Sequence, residues 1–136
     1  MFHLTKILNG RANVPECERV SLFTEVTVPY GTPVSIRGGT LTVTDGSATA
    51  LPTHIVLADA LGEDTVLAAP ITGDMIFEVP VTASPASMAV GTEYLLSANG
   101  TALTATAASS GKRGATLVEK MGAVAAGDLV RVAFRN

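Results

Sequence analysis

Between residues 30 and 58 the chain reads YGTPVSIRGGTLTVTDGSATALPTHIVLA, a series of short runs in which apolar and polar residues alternate. Each run is stopped by glycine: Gly38-Gly39 after residues 33–36, then Asp45-Gly46 after residues 40–44. Alternation with a period of two gives a β-ribbon one buried face, and glycine supplies the positive φ angles that tight hairpin turns demand. No helix of ordinary length fits between such breaks, so the pattern points to an all-β chain.

The same rhythm runs through the rest of the sequence. Residues 20–28 place Val20, Leu22, Thr24, Val26 and Val28 on one face and Phe23, Glu25 and Thr27 on the other, and Pro29 ends the run. In the hairpin region Leu41 and Val43 point inward, and Thr40, Thr42 and Thr44 outward. Residues 53–58 are apolar on both faces, as a central strand is. Residues 61–64 read as a turn carrying Glu63 and Asp64, followed by a strand at 66–71. In residues 75–81, Met75, Phe77, Val79 and Val81 face one way and Ile76, Glu78 and Pro80 the other, with Pro80 at an edge or bulge. Asn99-Gly100 predicts a type I′ hairpin between 94–98 and 103–106. Residues 115–127 carry Leu117, Met121, Val124 and Ala125 at helical spacing, yet Thr116-Leu117-Val118 followed by Gly122 favours a strand and a turn. Residues 129–135 close the chain with Val130, Val132 and Phe134 inward. Recurrent turns without a long helix describe a small barrel or sandwich.

A chain of 136 residues is one domain with one main core. Its apolar content is 47% with 4% aromatics, so Val, Ile, Leu and Ala fill that core, and β-branched residues suit a pleated sheet. Charged residues make up only 15%, which leaves a neutral outer surface suited to packing against a partner. Residues 1–16 stand apart from the β-domain at 17–136. Three readings of them stay open: a short first strand or turn of helix packed on the domain, an arm that adds to a neighbour's sheet, or disorder.

The chemistry expected of this chain is sparse. A net charge of −3 and the lack of a basic run argue against nucleic acid. No apolar run has the length of a membrane span, and the opening residues lack the form of a signal peptide, so the expected setting is the cytosol. Cys17 has no partner for an internal disulfide, and its neighbours Glu16 and Glu18 are anionic, whereas a reactive thiolate needs cations beside it. His3 and His54 have no second ligand at metal spacing. Asp59, Glu63, Asp64 and Asp74 sit in turns without the calcium-loop order. Gly111-Lys112 lacks the first glycine and the Ser or Thr of a phosphate loop. The Asn99-Gly100-Thr101 acceptor form is explained by its turn. The expectation is no enzyme, no metal and no cofactor.

Taken in order, the GTPV entry strand, PTHIVLADA, DMIFEVPV, VGTEYLLSANGTALTAT and the closing AAGDLVRVAF resemble bacteriophage head-decoration, or capsid cement, proteins over residues 20–134. The resemblance implies a small β-barrel or β-tulip-like sandwich with an extended N-terminal segment. It also implies a homotrimer on the outside of a phage head, assembled in the host cytoplasm, that locks neighbouring major capsid subunits together. On this reading the N-terminal arm carries the capsid anchors Phe2, Leu4, Ile7 and Leu8. The alternatives are a carbohydrate- or protein-binding module of a fibre or adhesin, for which aromatics are few, and a neck or tail adaptor.

Overall fold

The computed structural model describes residues 1–7 and 17–136. Its strands are β1 (His3–Ile7), β2 (Glu18–Val28), β3 (Pro33–Arg37), β4 (Thr40–Val43), β5 (His54–Val56), β6 (Ala60–Pro70), β7 (Met75–Pro80), β8 (Glu93–Leu96), β9 (Leu103–Ala107), β10 (Ala115–Glu119) and β11 (Leu129–Ala133). One 3₁₀ turn, Pro85–Ser87, is capped by the Ser84 side chain. The chain is therefore all-β.

The strands form two antiparallel sheets, one ordered β1-β7-β11-β10-β8-β9 and the other β2-β6-β5-β3-β4. The first nearly closes on itself, because Val81, just past β7, bridges Leu103 at the start of β9. Closure removes the bare edge that an open sheet leaves. Its interior holds Phe77, Val79, Leu96, Leu103, Leu117, Val130 and Val132, and Ile55 and Ala69 from the second sheet join this core. The second sheet keeps its own cluster around Val28, Val34, Val56 and Val66. The second cluster is wholly aliphatic, as the composition leads one to expect, whereas the first also takes in Phe2, Phe77, Phe134 and Tyr94.

Gly38 (φ 56°) and Gly39 (φ 79°) make the two-residue turn between β3 and β4, which pairs Arg37 with Thr40. Two positive φ angles in succession are what a type I′ turn requires. Asn99-Gly100 takes a different form: Gly100 has φ 72°, but Asn99 is not among the non-glycine residues at positive φ. A longer loop joins β8 to β9, closed by side chains. Asn99 Oδ1 accepts from the Thr101 N–H and hydroxyl, and Ser97 Oγ accepts from the Thr101 and Ala102 N–H groups. Local side-chain bonds of this kind replace the tight turn.

Three further expectations are corrected. Residues 61–64 are not a turn but part of β6, where Gly62 (φ 67°) sits at a register shift opposite Val26 and Thr27. Thr44 points inward and is buried. Ile76 is buried as well, in the stretch of β7 that β1 covers. β1 pairs only with residues 75–78, so Pro80 lies beyond its end, where its missing N–H costs no ladder bond. Residues 115–119 form a strand, and a loop follows.

Candidate functional site

β1 lies against β7 as an edge strand. Phe2, ahead of it, is 1% exposed, and its N–H donates to Gly31 O at 2.9 Å. Its ring packs with Phe77 and Phe134 at centroid distances of 6.2 and 5.2 Å. Leu4 and Ile7 are partly buried against the same core. Leu8 lies outside the described residues. Of the readings of the N-terminus, the first seven residues take the packed-strand form. Phe2 in this position fills the protein's own core.

The apolar side chains that do face outward are elsewhere. In β2 the pairing jumps from Ser21↔Thr65 to Val26↔Glu63, so the four residues 22–25 stand against the single Asp64 of β6. The insertion carries β2 to the β3–β4 turn, where the Phe23 N–H donates to Gly39 O at 2.9 Å. Phe23 is 84% exposed. Leu61, opposite Thr27 in β6, is 70% exposed. The sequence signal was an aromatic residue on the polar face of an alternating run.

A second exposed group gathers at one end of the barrel. The loop between β10 and β11 presents Met121 and Val124, the latter 75% exposed, next to Leu129. Val81 and residues 127–128 exchange backbone bonds, and Lys120 Nζ donates to Ala86 O, which brings this loop beside the 82–91 connection and its exposed Val90. Met121 itself sits at φ 55°, a left-handed conformation uncommon for a methionine. Asp128 shapes the loop: its Oδ2 accepts from the N–H groups of Val124 at 2.9 Å and Ala125 at 3.0 Å.

Those two bonds, Val124's first, hold the Asp128 carboxyl below its ordinary value of 3.8. A carboxylate lowered in the folded state adds stability above its unfolded pKa and loses it as pH falls through the folded one. The Val124 and Ala125 amide signals are therefore expected to shift together in a single step below the ordinary carboxylate range, with the loop loosening. Asp128→Asn should abolish that step; a step that survives in the variant would assign the loop's order to something else.

His54 belongs to a polar staple across the second sheet. Its Nε2 donates to Glu18 Oε1 at 2.7 Å, because a carboxylate can only accept. A neutral ring then accepts at Nδ1 from the Thr53 hydroxyl at 2.8 Å, and that oxygen accepts the Ile36 N–H at 2.9 Å. Hydroxyl, imidazole and carboxylate are the groups of a hydrolytic triad. Here the threonine oxygen is engaged with the backbone of β3, and the array ties β2, β3 and β5 together. Among the described residues no three His, Cys, Asp or Glu side chains converge as metal ligands, and no helix is long and apolar enough to cross a membrane. Cys17 is exposed.

No protein-family model matches this chain, and no curated protein matches it. The fold and its surfaces define a compact all-β body with outward apolar side chains on both of its sheets.

Proposed function

We propose that this protein is a structural component of a phage virion, which binds the outer surface of the capsid and cements neighbouring major capsid subunits. The observation that carries this reading is the pair of outward apolar surfaces. Phe23 and Leu61 stand on the second sheet, and Val90, Met121, Val124 and Leu129 stand at the end of the barrel. A cement must hold at least two neighbours at once, and two weak surfaces on one rigid body do so by avidity. The order of strands and turns that resembles head-decoration proteins supports the same assignment.

The reading shifts the contact from the N-terminal residues to these surfaces, since Phe2 cannot fill its own core and a partner's pocket together. A homotrimer would cover one of the two surfaces and present the other outward in three copies. The protein acts here by binding alone, without a catalytic step or cofactor.

Co-sedimentation with expanded heads of its phage tests the proposal. The wild-type chain should pellet with heads, and Phe23→Asp or Val124→Asp should weaken occupancy about tenfold or more, equivalent to about 1.4 kcal/mol. Both positions are exposed, so thermal stability should stay nearly unchanged. Wild-type protein left in the supernatant, or undiminished binding by both variants, would remove the assignment.

A further inference from the structure

Where the two sheets meet, an open groove of about 880 Å³ runs along the surface. Its walls come from distant parts of the chain: Arg37 at the end of β3, Leu51 ahead of β5, Ile71 after β6, Arg113 ahead of β10, and Phe134 and Arg135 after β11. Three of the chain's nine basic residues thus line one groove in a protein of net charge −3. No Asp or Glu lines it among the described residues.

Two of these arginines are held by hydrogen bonds, and two have no Asp or Glu partner among the described residues. Arg135 Nε donates to Gly73 O at 2.9 Å, and Arg113 donates to Arg135 O at 2.9 Å, so neutral carbonyls orient both guanidinium groups. Arg113 has one acidic partner, Glu93, at 2.9 Å. Among the described residues no carboxylate pairs with Arg37 or Arg135. Arg131 shows the contrasting case, since Glu78 and Glu119 both pair with it. A guanidinium fixed along one edge keeps its remaining N–H groups for a bidentate oxyanion, with little side-chain entropy left to lose.

We propose that this groove binds an extended acidic segment of a partner protein, with carboxylates on Arg37 and Arg135 and side-chain methylenes over Leu51 and Ile71. The cations reach an open groove from three separate segments of the chain, after β3, ahead of β10 and after β11, and apolar side chains stand among them. Several cations with apolar wall between them suit a chain that carries several carboxylates on aliphatic stems. A nucleic acid strand would need exposed aromatics for its bases to stack on, and Phe134 is buried. The proposal stands apart from the capsid reading, because it can be tested on the isolated chain and survives a failure to bind heads.

The experiment follows the arginine Nε–Hε signals by NMR during titration with acetyl-tetraglutamate amide, inorganic phosphate and an oligothymidylate in parallel. Saturable shifts are expected at Arg37 and Arg135 with the glutamate peptide, and none of comparable size at Arg19 or Arg131. Arg37→Gln should weaken peptide binding several-fold, and Arg37→Gln with Arg135→Gln about tenfold or more, or about 1.4 kcal/mol. Arg131→Gln should leave it unchanged. The single variant keeps the Arg135–Gly73 bond, so its loss of binding cannot be ascribed to unfolding of the groove. Shifts that do not saturate, equal shifts at Arg19, unchanged binding in the double variant, or tighter binding of phosphate or oligothymidylate would each overturn the proposal.

Discussion

Phe2→Ala is expected to cost about 3–5 kcal/mol of folding stability, as large as the loss for a central core phenylalanine. The residue is second in the chain, where truncation is ordinarily harmless. The magnitude follows from its surroundings: the ring is 1% exposed and stands between Phe77 and Phe134, which lie 5.7 Å apart between centroids. Removing it empties the meeting point of three of the chain's four phenylalanines. It also frees β1, where Leu4, Thr5 and Ile7 are only half-buried, from its anchor. Urea denaturation of Phe2→Ala and Phe77→Ala, with the double variant, measures both the losses and their coupling. A coupling of about 0.5–3 kcal/mol is expected for side chains in contact. A loss within about 0.5 kcal/mol for Phe2→Ala, the range of exposed positions, would mean that the first strand leaves the body in solution. The N-terminal residues would then be free to act as an arm.

This result bears directly on function. An arm that docks on a neighbour and a strand that completes its own barrel use the same apolar residues, so stability measured on the isolated chain distinguishes them. If the strand is core, partner binding must rest on Phe23, Leu61 and the barrel-end loop. Those side chains keep much of their apolar area exposed and remain available for a second surface to bury.

The β-character and most strands were legible because period-two alternation and glycine breaks are local signals. Met75, Phe77 and Val79 announce β7 by themselves, and Gly38-Gly39 announces its turn. Alternation alone left two things undetermined. One was which strands pair. The bulge at residues 22–25 exists only because β6 is shorter between the same contacts. The other was whether a local signal is the one used. Asn99-Gly100 has the composition of a type I′ turn, but Ser97 and Thr101 offer hydrogen bonds that close a longer loop. The arginine groove was illegible for a similar reason. Residues 37, 113 and 135 carry no shared motif, and only the meeting of the two sheets brings them together.

Gly114→Ala is expected to destabilise the fold by about 3 kcal/mol or more, at the upper end of overpacking costs. The Gly-Lys-Arg-Gly stretch reads as a flexible loop, yet its last glycine is buried beneath β8. A Cβ there would lie 1.9 Å from Tyr94 O and 2.8 Å from Tyr94 C, both backbone atoms that no rotamer change can move aside. The close approach arises because Glu93 Oε1 accepts the Gly114 N–H at 2.7 Å and Arg113 Nε at 2.9 Å, drawing the chain down where Ala115 pairs with Tyr94. Gly114 is not among the positive-φ glycines, so backbone torsion alone would tolerate alanine, and a less flexible unfolded chain would even favour it. The expected loss is therefore steric. Gly111→Ala and Gly122→Ala supply the opposite case: each has positive φ, but a Cβ would meet nothing within 4 Å. Each should cost about 1–2 kcal/mol through strain alone. A Gly114→Ala loss no larger than these would show that β10 does not start against the Tyr94 carbonyl. The displacement should also reach Arg113, next in the chain, and blur its Nε–Hε signal, while Arg131 on the far side of its two glutamates keeps its own.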